Sequence, residues 1–211
     1  MTIVINFLDN RPSLRIKAET FGEAVKKAIA NKWDLTWSNL RGVDLRWAYL
    51  KNVDLSGADL LSADLREAEL SGANLCNANL RMANLSNARL CEANLRDAIL
   101  SEANLVGSSL TKANLRYADL RYANLRGANL IETNLYGADL DYSCLPLWCG
   151  SLQAKIDKRT FCQLLYHTLR AGQSVNDSEV KKLFAIPEVV ALANKFHRVE
   201  GCGRILEQKV R

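Results

Sequence analysis

From Leu35 to Leu145 every fifth residue is leucine, 23 in an unbroken series. Two positions before each leucine the chain prefers a small residue, alanine in 16 of the 23 cases, as at Ala58, Ala63 and Ala68. Between these two inward candidates stands Asp or Asn in 17 of 23, as at Asp54, Asn74 and Asn94. The unit therefore reads Ala-(Asp/Asn)-Leu-x-x, and the last two positions collect Gly, Asn, Ser and Arg, as in Ser56-Gly57 and Ser71-Gly72.

Neither regular element accounts for this spacing. On an α-helix, at about 100° per residue, residues five apart are offset by about 140° and form no stripe. On a continuous strand a spacing of five throws successive leucines onto opposite faces. A chain that turns a corner every five residues does fit. In a short extended segment residues two apart point the same way, so Ala and Leu face inward and Asp or Asn faces out. The two remaining residues make the turn, where Gly and Asn tolerate the dihedrals required.

These units, over roughly residues 33–146, resemble the pentapeptide repeat family. The resemblance implies a mainly β fold, a right-handed four-sided β-helix with four units and 20 residues per coil. Twenty-three units then make about 5.75 coils, a column about 27 Å tall at the ~4.8 Å spacing of paired strands. Each coil stacks Leu on Leu and Ala on Ala, as solenoids do, and both ends need caps. Three regions follow: an N-terminal α/β cap over 1–32, the β-helix over 33–146, and an α-helical C-terminal domain over 147–211.

The flanks carry a different pattern. Thr2 to Leu8 is β-branched and apolar and predicts a strand. A turn at Asp9-Asn10-Arg11-Pro12 leads to a second strand over Leu14 to Ala18. Thr20 predicts an N-cap, with Glu23 completing a capping box, for a helix from Phe21 to Asn31 whose apolar face is Phe21, Ala24, Val25, Ala28 and Ile29. Beyond Pro146 the apolar spacing predicts a helix from Asp157 to Ala171 with Phe161, Leu164, Leu165, Thr168 and Leu169 on one face. Gly172 ends it, and two shorter helices follow, capped by Ser178 and begun by Pro187. An appended segment of this kind is similar to those of some bacterial and phage members of the family.

Charge narrows the functional classes. The chain is +5 overall, but residues 34–145 hold 11 basic and 14 acidic residues, while residues from 146 onward hold 11 basic and 6 acidic. Stacked every 20 residues, Arg41, Arg81 and Arg121 share one column, Arg46, Arg66 and Arg126 a second, and Arg96 and Arg116 are neighbours in a third. Interspersed Glu67, Glu69, Glu92, Asp97 and Glu102 make these a solvated face with cross-coil ion pairs, each contributing little. The columns begun by Asp34 and Asp54 and by Asp44 and Asp64 are acidic at first and then turn to Asn.

No catalytic or cofactor motif is present: there is no phosphate-binding glycine loop, nucleotide fingerprint or carboxylate pair at a meaningful spacing. Cys149, Cys162, His167, His197 and Cys202 are the one conceivable ligand or Cys-His set, and no pair has zinc-module spacing, so neither metal nor cofactor is expected. Cys76 and Cys91 fall on different faces and are not expected to pair. With no charged-then-apolar leader and no long apolar run, the chain reads as soluble and cytoplasmic.

The expected function is a non-enzymatic scaffold that presents faces and caps to a protein partner not yet identified. Its candidate surface is Arg116, Tyr117, Arg121, Tyr122, Arg126 and Tyr136, where Arg and Tyr interleave. Packing beneath the C-terminal segment is the competing role for these aromatics, and docking of the N-terminal helix is the competing role for Trp37 and Trp47. The family resemblance implies one alternative, a DNA mimic acting on a type II topoisomerase such as gyrase, which the balanced charge disfavours. Nucleic-acid binding by the basic C-terminal helices is a further alternative, also disfavoured, and a homodimer through those helices is compatible with the sequence.

Overall fold

The computed structural model describes residues 1–140. The expectations for the last unit, at Leu145, for the C-terminal helices and for the cysteines and histidines beyond residue 146 lie outside the described residues.

Each repeat unit behaves as its pattern dictates. Leu35 to Leu140 and the alanines two positions before them are buried in one continuous core. Parallel bridges join residues 20 apart, from Asn39 with Asp59 to Asp119 with Asp139, so four units close one coil. Three backbone hydrogen bonds per unit tie a coil to the next, as in Leu40 N–H to Asp59 O at 2.8 Å, Asp59 N–H to Ser38 O at 2.9 Å and Gly42 N–H to Leu61 O at 2.9 Å. Backbone N–H and C=O groups of the wall thus pair with the next coil or within the turn, which is what allows so apolar a core.

The turns are alike. The N–H after each turn donates back to the leucine carbonyl before it, as in Val43 to Leu40 at 3.2 Å. The third turn residue takes a positive φ at all 21 turns from Trp37 to Gly137, and 15 of these residues are not glycine. The third position of a type II turn requires that sign of φ. Non-glycine side chains endure it because the N–H there is held by the next coil, as in Glu67 N–H to Ser86 O at 3.0 Å.

The N-terminal cap is β1 (Thr2–Ile5) paired antiparallel with β2 (Leu14–Lys17), followed by α1 (Phe21–Ala30). The first strand ends earlier than the apolar run predicts. Beyond Ile5 the chain leaves the hairpin, and Phe7 bridges to Ser38 on the first coil. Leu8 N–H donates to Trp37 O at 2.7 Å and Asn39 N–H to Asn6 O at 2.8 Å. Thr20 caps α1 by accepting from Glu23 N–H at 3.1 Å. The return arm of the capping box is displaced by one residue: Glu23 accepts from Glu19 N–H at 2.7 Å. Ala24, Val25 and Ala28 complete the core, with Phe21 and Ile29 packed at its margin.

Candidate interaction face

The residue before each leucine points outward, and in the Asp54 column it forms a hydrogen-bonded ladder, with single bonds of the same kind at Asn79 and Asn104. Its side-chain oxygen accepts the N–H two residues on, as in Asp54 from Ser56 at 2.9 Å, which braces the turn. Its amide, where it is Asn, donates to the preceding coil: Asn74 to Asp54 at 3.1 Å, Asn94 to Asn74 at 3.0 Å, Asn114 to Asn94 at 3.0 Å.

One column abandons the ladder. Among the 23 units, six lack Asp or Asn before the leucine: Tyr49, Glu69, Arg89, Ile99, Ser109 and Cys144. Four of these stack directly on one another, through the bridges Tyr49 with Glu69 and Arg89 with Ser109 and the intervening Glu69 with Arg89. Glu69 still braces its turn, accepting Ser71 N–H at 3.1 Å, and pairs with Arg89 at 3.5 Å. The hydrogen bond with Ser71 leads in holding its carboxyl below the ordinary range, against a smaller upward push from burial, with Arg89 adding to the fall. Cys91 Sγ lies 3.2 Å from Ser109 Oγ. Tyr49, Lys51, Glu69, Arg89, Cys91 and Ser109 are among the residues lining a shallow hollow of about 440 Å³ on this face.

At its N-terminal end the hollow opens into a groove of about 970 Å³ between α1 and the first coil. Trp33, Trp47 and Tyr49 line it with Lys26, Lys32 and Lys51. Trp47 is 63% and Tyr49 70% exposed, so neither is a seat for the helix. The Arg46 guanidinium lies 5.2 Å from the Trp47 ring centre. Trp37 differs: its ring covers Gly57 on the next coil.

The model of pentapeptide repeats, in 8 copies, matches segments that together run from residue 34 to residue 145. The chain belongs to the pentapeptide repeat family. Its fold is accordingly the right-handed four-sided β-helix. Solved structures of similar proteins include HetL, a pentapeptide repeat protein involved in heterocyst differentiation regulation in the cyanobacterium Nostoc, 33% identical over 56% of this chain and 71% of that one, with a TM-score of 0.28. A second pentapeptide repeat protein of Nostoc is 31% identical over 65% of this chain and 96% of its own, TM-score 0.36. QnrB1, a plasmid-mediated fluoroquinolone resistance protein, is 19% identical over 66% and 87%, TM-score 0.43. No curated protein matches the chain.

In this pentapeptide repeat protein the six residues of the sequence-based surface do not form one patch. Arg116, Tyr117 and Tyr136 share a corner with Arg96. The tyrosines meet edge to face with centroids 5.9 Å apart, and Arg116 lies 5.4 Å from both rings. Arg121 and Tyr122 stand on the next corner, and Arg126 on the one after. Residues five apart in sequence are a quarter turn apart in space, which scatters them. Of the cross-coil ion pairs expected for the Arg columns, Arg81–Glu102 forms at 2.6 Å, whereas Arg66–Asp64 and Arg121–Asp119, each at 2.7 Å, close within one coil.

The acidic starts of the columns are not a bare negative face. Arg46 holds Asp44 at 2.7 Å and reaches Asp64 at 3.6 Å, while Arg41 holds Asp59 at 3.3 Å. The hydrogen bonds from the Arg46 side chain and N–H lower the Asp44 pKa from 3.8 to about 2. A mimic of phosphate spacing needs charges left unpaired. Among the described residues no three His, Cys, Asp or Glu side chains are grouped to hold a metal ion, and no helix is long and apolar enough to cross a membrane. Cys76 and Cys91 are free thiols.

Sequence reasoning missed the Tyr49 column and the groove. The signal was available as departures from Asp/Asn recurring at a spacing of 20.

Proposed function

We propose that this protein is a non-enzymatic scaffold that binds a protein partner along the face formed by Tyr49, Glu69, Arg89 and Ser109. The observation that carries this reading is that the outer ladder is given up on four successive coils of one column. Ladder amides supply hydrogen bonds of about 1 kcal/mol each. A column that forgoes them and presents phenol, carboxylate, guanidinium and hydroxyl in a row has a surface suited to recognition. Membership of a family whose proteins are in general structural or interaction proteins supports the same reading.

The test is affinity capture with the full chain, comparing Arg89→Glu and Tyr49→Ala with Ile99→Lys, an exposed position on the opposite face. Capture of one partner is expected from the wild type and Ile99→Lys, and to fail with both face variants at unchanged melting temperature. Retention by Arg89→Glu with loss on Arg121→Ala would move the site to the Arg121 corner instead.

A further inference from the structure

The N-terminal cap closes only part of the first coil's rim. At the position before each leucine both N–H and C=O point toward the preceding coil, as the bonds of Asp59 with Ser38 and Leu40 show. The first coil has no predecessor. Asn39 is served by Asn6, and the Asp44 carbonyl lies against Gly22 of α1. Tyr49 has no such neighbour: neither its backbone N–H nor its C=O makes a hydrogen bond among the described residues. This open rung lies along the groove that holds Trp33 and Trp47. Val53, at an inward position, is only half-buried there.

We propose that this groove binds an extended, acidic segment of a partner protein, which adds as a strand at the Tyr49 rung. Unpaired N–H and C=O groups at a sheet edge are a template for a further strand. A peptide backbone offers both the donor and the acceptor they need, and its apolar side chains cover Val53 between Trp33 and Trp47. The rim selects negative charge. Among the described residues Lys32 and Lys51 have no ion pair, whereas Asp34 is engaged by Arg11 and Asp54 by Ser56 N–H and Asn74.

The same charge decides against the chain itself. Residues 146–211 carry 11 basic against 6 acidic groups, and residues 1–33 carry 6 against 3, so neither its own tail nor the cap of a second copy complements the lysines. A nucleic-acid strand could stack on the indoles. Its phosphates, however, cannot donate to the free carbonyl of Tyr49, and they would face Asp34 and Asp54. The inference rests on the scaffold reading of the Tyr49 face and names what its N-terminal end takes.

The probe is a fluorescein-labelled decapeptide alternating valine and glutamate, titrated with the full-length protein and followed by anisotropy. Binding is expected. It should weaken at least tenfold for the valine–lysine counterpart and for the same peptide N-methylated throughout. It should weaken as much for a Lys32→Asn/Lys51→Glu protein whose melting curve matches the wild type. Asn is chosen because residue 32 has a φ of 56°. No binding, or equal binding of the N-methylated peptide, overturns strand addition. Tighter binding of an oligothymidine decamer makes the groove a nucleic-acid site and also overturns it. If peptide binding fails while Arg89-dependent capture persists, only this inference falls; if both fail, the scaffold reading falls with it.

Discussion

Asn74 donates its side-chain amide to the Asp54 carboxylate at 3.1 Å, and the direction of that bond sets the polarity of the whole outer ladder. Each Asn gives its N–H to the coil before it and accepts from the coil after it. Asp54, a side chain that only accepts, starts the run of bonds that Asn74, Asn94 and Asn114 continue. Asp54 thus serves as the acceptor at the start of this ladder.

A pair of substitutions checks this. Asp54→Asn should be near neutral, since the oxygen that accepts from Ser56 and Asn74 is retained. Asn94→Asp should cost about 1–3 kcal/mol, because it loses the bond to Asn74 and sets two acceptors face to face. Urea melts at neutral pH measure both; equal destabilisation would refute the polarity argument.

Turn side chains lean toward the following coil, so a large one requires a gap beneath it. A β-carbon at Gly57 would meet the Trp37 ring at 2.4 Å, whereas one at Gly42 would meet nothing within 4 Å, and both have positive φ. Gly42→Ala should therefore cost only the dihedral term, about 1 kcal/mol. Gly57→Ala should cost about 1–3 kcal/mol more as the indole is displaced. The difference between the two melting curves isolates the steric part.

The seat of α1 depends on a close approach. A β-carbon at Gly22 would stand 2.2 Å from the Asp44 carbonyl oxygen, a backbone atom that cannot swing aside. Gly22→Ala should lift the helix from the first coil at a cost of about 1–3 kcal/mol. Hydrogen exchange should then accelerate in α1 while the coils from Leu75 onward keep their protection; uniform acceleration would show that cap and column unfold as one unit.

Acid should weaken the column through Asp44. Its folded pKa is about 2 against an ordinary 3.8, so the native state binds this proton less readily than the unfolded chain. The resulting stability is complete above about pH 4 and is lost as the pH falls toward about 2. Because the pair is exposed, the effect is small and screened by salt. Thermal melts at low ionic strength should show a shallower decline over that window for Arg46→Ala than for the wild type. Identical slopes would mean the pair contributes nothing.

The period of five was enough to read the interior and the stacking interval of the coil from the chain. Leu35 to Leu140 are all inside, and the stacking interval is 20. The ββα cap was legible from Thr2–Ile5, Leu14–Lys17 and the Thr20 cap, except that Phe7 joins the first coil. The candidate site was not legible by reading along the chain. Arg116, Tyr117, Arg121 and Tyr122 are close in sequence and therefore turn away from one another. Tyr49, Glu69 and Arg89 are distant in sequence and therefore stack. The groove was out of reach for another reason: it exists because α1 covers the Asp44 rung and stops short of Tyr49, which depends on how the cap is seated.

The coil length of four units carries a consequence for how this surface can change. Removing any one five-residue unit leaves the leucine spacing intact and the core sealed, yet it rotates everything beyond the cut by a quarter turn. Removing a whole coil rotates nothing and only shortens the display. A frame of 20 residues thus governs which side chains share a face, and Tyr49, Glu69, Arg89 and Ser109 stay in line only while that frame is kept.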